Sequence, residues 1–314
     1  MNTPPASPTW DVIIVGGSFA GLSAAYMLGR ARRSVLVLDT GKPRNRFAAH
    51  MHGVLGRDGT SPLALLDDGR RELARYGVTF RADAATGVTR TEDGFAVATA
   101  GGAIESARRL LVTTGIRDEL PAIDGMPEQW GKGVVMCPYC DGYEVRDKRI
   151  AVIATAAGAH QAFMLRQWSA DVTYFTRGQF APTEDERRTM EARGIRIDER
   201  PVTRVASENG ALTGLEVEGS VVPVDSIFTA PTLHAQDDLL ASLGAERATG
   251  RFGEFIAVDA MFATTAAGVW AAGNVVNPGA AVPIAMGAGT TAGAAINFDL
   301  TLDDNARALQ GSRA

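Results

Sequence analysis

Cys137 and Cys140 are the only thiols in this 314-residue chain, and they stand in the run Cys137-Pro138-Tyr139-Cys140-Asp141. Two thiols at this spacing can close a ring disulfide, one attacking and the other resolving. A Cys-x-x-Cys pair is also half of a zinc site. No second pair of ligands follows, and the four histidines (His50, His52, His160, His234) are scattered apart from the first two, so no metal is expected. Asp141 directly follows the second thiol. A carboxylate there could move protons to and from sulfur, or it could simply cap a helix.

A second chemistry is suggested by Gly16-Gly17-Ser18-Phe19-Ala20-Gly21. A glycine turn before a helix lets backbone N–H groups approach a pyrophosphate, and the helix dipole favours its charge. Ser18 stands where a second glycine is usual, and it is small enough. The run Val12–Val15 before the turn reads as a buried strand. A helical pattern from Leu22 to Arg32 follows, then a strand Val35–Leu38 ending at Asp39, which is placed to bind a ribose hydroxyl pair. The alternative is a tight packing turn that binds nothing. A third signal lies near the end, where Gly273-Asn274-Val275 closes a short strand before a glycine-rich helix start, a place suited to a ribityl-pyrophosphate chain.

These residues must be carried by elements, and the elements repeat. Strand Ile150–Ile153, turn Ala154–Ala159, helix Gln161–Trp168 and strand Val172–Phe175 reproduce the first layout. Between the two lie a charged helix Pro62–Tyr76, a hairpin-like stretch Val78–Thr99 and a buried strand Leu110–Thr113 ending at Thr114-Gly115. A helix Thr183–Arg193 and strands at Arg196–Asp198, Leu215–Glu218 and Ser226–Thr229 follow, then the Gly/Ala-rich segment Gly268–Leu300. Residues Asp303–Ala314 are polar and are expected to fray. The fold class is α/β, with two Rossmann-like βαβ dinucleotide-binding domains.

The order of these pieces resembles the low-molecular-weight thioredoxin reductase family of FAD-dependent pyridine nucleotide-disulfide oxidoreductases, over about residues 11–300. A bare CPYC also resembles glutaredoxin, a much shorter family with the motif near its N-terminus. The resemblance implies a discontinuous FAD domain, 1–120 and 235–314, interrupted by a nicotinamide-type domain, 121–234, that carries the cysteines. It implies that Cys140 faces the flavin, that Cys137 is the interchange thiol and that Asp141 is the acid. It implies FAD contacts from Gly16, Ser18, Phe19, Ala20, Gly21, Asp39, Thr114, Gly115, Asn274, Val275, Ala281 and Val282. Arg44, Asn45, His52 and Asp58 resemble a flavin-contacting segment. The CPYC subgroup includes dithiol oxidases of gliotoxin- and holomycin-type natural products. A homodimer is implied as well.

Two departures from the family matter. At the positions of Gly16, Ser18 and Gly21, the repeat has Ala154, Ala156 and Ala159, and each Cβ crowds the approach of a pyrophosphate. The family's basic run for a 2′-phosphate is reduced to Arg177, so the NADP(H) site reads as degenerate. Asn274 replaces the family's Asp, and Ala281 stands where Gln is common. The reading is therefore a dithiol oxidase taking electrons from a small-molecule dithiol and passing them to O2, with H2O2 as product. The alternatives are an NADPH- or ferredoxin-driven reductase of a thioredoxin-like protein, and a non-catalytic flavin-bound redox sensor.

Composition sets the bounds. Hydrophobic residues make up 46% and charged residues 21%, with a net charge of -5, so no strong positive field attracts nucleic acid or an anionic membrane. The N-terminus lacks the basic and apolar regions of a signal peptide, and no run of about 18 apolar residues is present. A cytoplasmic location is expected.

Overall fold

A computed structural model describes residues 10–311. The reading of the extreme N-terminus and the last three residues of the polar tail lie outside the described residues. The chain divides into two compact units, Met1–Arg44 with Leu63–Arg117 and Leu233–Ala314, and Asn45–Pro62 with Asp118–Thr232.

In the first unit the β-branched strand Trp10–Val15 lies at the centre of a seven-stranded sheet. It pairs in parallel with Val35–Asp39 on one side and with Ile104–Val112 on the other. Val269–Ala271, from near the chain's end, also pairs in parallel with Ile104–Val112. Strands buried on both faces read as continuous apolar runs, and Val12, Ile13 and Ile14 have no exposed surface. The stretch Val78–Thr99 is not one hairpin. Thr79–Ala82 adds a parallel edge strand beside Val35–Asp39, and only Ala85–Thr91 and Gly94–Thr99 pair as a hairpin.

Helix Phe19–Arg30 packs on the long helix Val282–Gly311 through small residues. A Cβ on Gly289 would stand 2.0 Å from the Ala20 carbonyl oxygen, and one on Gly293 would stand 2.8 Å from that of Ala24. The long helix continues through the polar end of the chain to Gly311, so Asp303–Gly311 does not fray. Its carboxylates are held from within the unit. Arg108 donates to Asp11 at 2.8 Å and to Asp303 at 2.7 Å, and also reaches Asp304, while Arg33 donates to Asp304 at 2.6 Å. This half-buried network supplies what local sequence does not.

The second unit is built on a five-stranded parallel sheet in the order Arg196–Asp198, Val172–Phe175, Ile150–Ile153, Ser226–Thr229, Val134–Val135. A three-stranded antiparallel meander, Val202–Glu208, Ala211–Val217 and Ser220–Pro223, packs its apolar face into the core around Val205, Leu215 and Ile227. Helix Glu184–Ala192 opens with a capping box between Thr183 and Glu186. Helix His160–Leu165 is six residues long, half the length of its counterpart Phe19–Arg30. Among the described residues no helix is long and apolar enough to cross a membrane.

Candidate functional site

The expected site residues fall into two groups. Gly16, Ser18, Phe19, Ala20, Gly21, Asp39, Arg44, Thr114, Gly115, Asn274, Val275, Ala281 and Val282 belong to the first unit. Asn45, His52 and Asp58 cluster instead with Cys137, Cys140 and Asp141 in the second.

In the first unit the glycine turn is as tight as a dinucleotide turn must be. Gly16 has φ +104°, and a Cβ there would meet the Thr113 carbonyl oxygen at 2.5 Å. A Cβ on Gly21 would stand 1.9 Å from the Gly16 carbonyl oxygen. The Thr113 hydroxyl donates to that same oxygen at 2.7 Å and ties the turn to the neighbouring strand. Ser18 caps the twelve-residue helix in an extended conformation, and its hydroxyl makes no capping bond. The first-turn N–H groups thus have no intrahelical acceptor, which is the arrangement that receives a pyrophosphate. Asp39 lies against the turn, since a Cβ on Gly17 would be 2.9 Å from its own Cβ, and its Oδ2 accepts from Arg70 at 3.1 Å. Arg70 carried no signal in the sequence. FAD fits this cradle by its glycines, its open helix start and its acid at the second strand's end.

Thr114 and Gly115 are engaged by the protein itself. Gln236 donates through Nε2 to the Thr114 carbonyl at 2.8 Å and through its backbone N–H to Gly115 at 3.1 Å, while the Thr114 hydroxyl donates to the Gln236 carbonyl. Val275 is fully buried and Ala281 is exposed. Asn274 and Arg44 both donate to the Pro278 carbonyl, at 3.1 and 3.2 Å.

In the second unit the thiols sit on the four-residue helix Pro138–Asp141, with Cys137 as its N-cap. Proline at the first helical position has no N–H to leave unpaired. The N–H groups of Cys140 and Asp141 return to the Cys137 carbonyl at 3.0 and 3.1 Å. A Cβ on Gly142 would stand 2.4 Å from the Pro138 carbonyl oxygen and 3.0 Å from the Trp168 ring, so the helix can lie close to that indole. Tyr139 points outward, 78% exposed, edge-on to Trp168 at 6.0 Å. The two sulfurs are not joined in this structure.

The Cys137 thiol and the Asp141 carboxyl are shifted in opposite senses. The Cys137 thiol is brought down to about 7, chiefly by a hydrogen bond with Cys140 and then by the backbone N–H groups of Cys140 and Tyr139, against burial and the Asp141 charge. Burial, aided by the Glu144 charge and opposed by His52, raises Asp141 to about 6. His52 lies between two acids, with Nδ1 3.1 Å from Asp58 and Nε2 3.4 Å from Glu144. Glu144, which the sequence reading did not single out, thus belongs to the acid–base group around the thiols.

The second βαβ turn is built differently from the first. Ala154 and Ala159 are buried, at 1% exposure each. The turn closes on itself, Ala157 and Gly158 donating to the Thr155 hydroxyl and carbonyl at 3.3 and 3.1 Å. Its helix starts only at His160. The Glu186 carboxylate stands beside that start, 3.7 Å from where a Gly158 Cβ would be. Arg177 stacks on Phe180, 5.7 Å from the ring centroid.

Paired βαβ units, a glycine cradle in the first and a Cys-x-x-Cys pair in the second unit are the frame of a disulfide oxidoreductase. The profile of the pyridine nucleotide-disulphide oxidoreductase family matches residues 10–290, and the chain belongs to that family. It is 30% identical to thioredoxin reductase sirT of Leptosphaeria maculans, across 95% of this chain and 96% of that protein. It is 28% identical to thioredoxin reductase aclD of Aspergillus oryzae, across 96% of this chain and all of that one. Among solved structures, HlmI superposes with a TM-score of 0.92 at 42% identity, covering 97% of this chain and 96% of its own. The chain is an oxidoreductase acting on disulfides, a flavoprotein of thioredoxin reductase type.

Proposed function

We propose that the protein is an FAD-dependent dithiol oxidase that closes a disulfide in a small-molecule dithiol. The observation that carries the choice is the second turn, where the Glu186 carboxylate stands beside the helix start and alanines replace glycines. A pyridine nucleotide's pyrophosphate would meet that carboxylate and the exposed Ala156 methyl group there. Electrons then enter through the thiols.

The chain starts its cycle with Cys137 and Cys140 joined. A substrate thiolate attacks Cys137 Sγ, forming a mixed disulfide and releasing Cys140 as thiolate. The second substrate thiol, losing its proton to Asp141, attacks the substrate sulfur of that mixed disulfide. The substrate leaves as its disulfide, and Cys137 is released. Two electrons have passed from substrate to the cysteine pair, which is left as two thiolates, and one proton has passed to Asp141. Asp141, raised to about 6, is mostly ionised at pH 7 and is suited to accept the proton. Glu144 and His52 stand next to it to pass the proton on. FAD, held by Gly16, Gly21 and Asp39, would supply the two-electron acceptor that lets the cysteine pair reclose and the route from there to O2 and H2O2.

Gly16, Gly21 and Asp39 would hold the FAD pyrophosphate and ribose, with Ser18, Phe19 and Ala20 at the helix start. The family likeness supports a homodimer and a reducing, cytoplasmic setting. The names of sirT and aclD favour a second reading, a reductase of a thioredoxin-like protein. Anaerobic stopped-flow mixing separates the two. The oxidase reading expects fast flavin bleaching by a small dithiol and slow bleaching by NADPH or NADH. Fast bleaching by NADPH, with thioredoxin reduced downstream, overturns it.

A further inference from the structure

We infer that Asn274 is a positioning residue that clamps the loop Asn277–Ala280, and that this clamp requires an amide where the resembled family carries a carboxylate. The inference rests on the reading of the first unit as the FAD unit.

Asn274 lies in the single 3-10 turn Gly273–Val275. Gly273 has φ +80°, and a Cβ there would stand 2.9 Å from Ala20 Cβ, so the turn is pressed against the start of helix Phe19–Arg30. From this point the Asn274 amide nitrogen donates to the carbonyl oxygens of Asn277, Pro278 and Ala280, each at 3.1 Å. An amide nitrogen carries two hydrogens, so one is shared between acceptors. Three carbonyls on one side also fix which end of the amide faces them.

A carboxylate cannot replace this group. Asp at 274 would set an acceptor-only oxygen against three carbonyl oxygens, with no hydrogen to offer any of them. The loop would lose its central donor and face repulsion as well. The loop also holds itself, the Asn277 N–H donating to the Gly273 carbonyl and the Ala280 N–H to the Asn277 carbonyl, each at 3.0 Å. Arg44 donates to the Pro278 carbonyl at 3.2 Å, and a Cβ on Gly279 would come within 2.9 Å of the Phe252 ring. Asn274 and Arg44 therefore meet on one carbonyl, at the last residue before the chain leaves the first unit. The loop runs directly into Ala281 and Val282, where the helix Val282–Gly311 begins. Drawing the loop's carbonyls onto Asn274 keeps them away from the N–H groups at that helix start. Those donors remain available to an anionic or carbonyl-bearing cofactor.

The test uses Asn274→Asp, Asn274→Ala and Asn274→Ser in the full chain. Amide hydrogen exchange is measured on the flavin-free protein over residues 277–282, with residues 12–15 as an internal reference. FAD affinity is measured by titration of the same preparations. The expected result is exchange about 10-fold faster in the loop, and FAD binding about 10-fold weaker, for both the Asp and Ala variants. Ser, which keeps one donor, is expected between these and the wild type. The clamp is overturned if Asn274→Asp exchanges and binds like the wild type, or if Ser is no better than Ala. Should the wild type take up no FAD, the flavin reading falls, and the exchange comparison still decides the clamp.

Discussion

The Glu186 carboxylate closes a capping box with Thr183 and, from there, faces the start of helix His160–Leu165, 3.7 Å from where a Gly158 Cβ would be. The same carboxylate accepts from the Thr183 N–H at 2.8 Å and from its hydroxyl at 3.0 Å. One side chain thereby caps one helix and faces the start of another. Each bond favours the ionised form, and Glu186 is held below the usual carboxylate range.

Glu186→Ala is expected to lower stability by about 1–2 kcal/mol, the size of a lost helix cap. The sign with pH follows from the lowered folded-state value. The contribution is complete above the unfolded carboxylate range and is lost as pH falls through the folded one. Urea melts at pH 7 and pH 3.5 check it, and a difference that stays constant between the two counts against the role.

Asp141 titrates in the opposite sense. Its folded value of about 6 lies above the ordinary 3.8, so the folded state holds the proton more tightly and stability falls as pH rises from about 4 to 6. Asp141→Asn is expected to be more stable than wild type at pH 7, on the order of 2 kcal/mol, and equal to it near pH 3.5. The same variant is expected to lose about 100-fold in dithiol oxidation and its acid limb near pH 6. Paired melting curves and pH–rate profiles read both effects.

Cys137→Ser and Cys140→Ser are each expected to reduce turnover by at least about 1000-fold. Their spectra should differ. Reduced Cys137→Ser keeps the thiolate assigned to the flavin side and should show a long-wavelength absorption band, which Cys140→Ser should lack. The opposite pattern would exchange the two roles.

Gly21→Ala is expected to remove bound flavin, because its methyl group would stand 1.9 Å from the Gly16 carbonyl oxygen. Gly53→Ala is the control. Its φ of +78° is strained for alanine, but nothing lies within 4 Å of the added carbon. The ratio of visible to near-ultraviolet absorbance in purified protein distinguishes them, and a yellow Gly21→Ala protein would contradict the cradle.

What could be read from sequence was whatever depends on local backbone demand. Gly16 and Gly21 announce a turn because other residue types clash there, and Val12–Val15 announces a buried strand by its unbroken apolar run. The helix at Thr183–Arg193 was legible as a polar helical stretch, and its capping box appears only in the structure. The approach of Glu186 to the Gly158 turn was not legible, because it joins two turns that only the sheet brings together. Arg70 beside Asp39 and Glu144 beside His52 were hidden in the same way. The polar end Asp303–Gly311 looked unsupported because its partners, Arg33 and Arg108, come from far upstream. Thr79–Ala82 was misjudged as half of a hairpin because a parallel edge strand carries no turn signal of its own.

The interrupted path of the chain also sets an order of events at the ribosome. The second unit is complete in sequence at Thr232, while the first still lacks strand Val269–Ala271 and helix Val282–Gly311. Strand Trp10–Val15, synthesised first, therefore waits for the last helix before its own layer can close. Domains generally fold as units as they emerge. The thiol-bearing unit should become protease-resistant on a stalled nascent chain ending near residue 270, and the glycine cradle only after release. A chain cut short within the final helix would then carry a folded pair of cysteines beside an open sheet, a species for chaperones and proteases to sort.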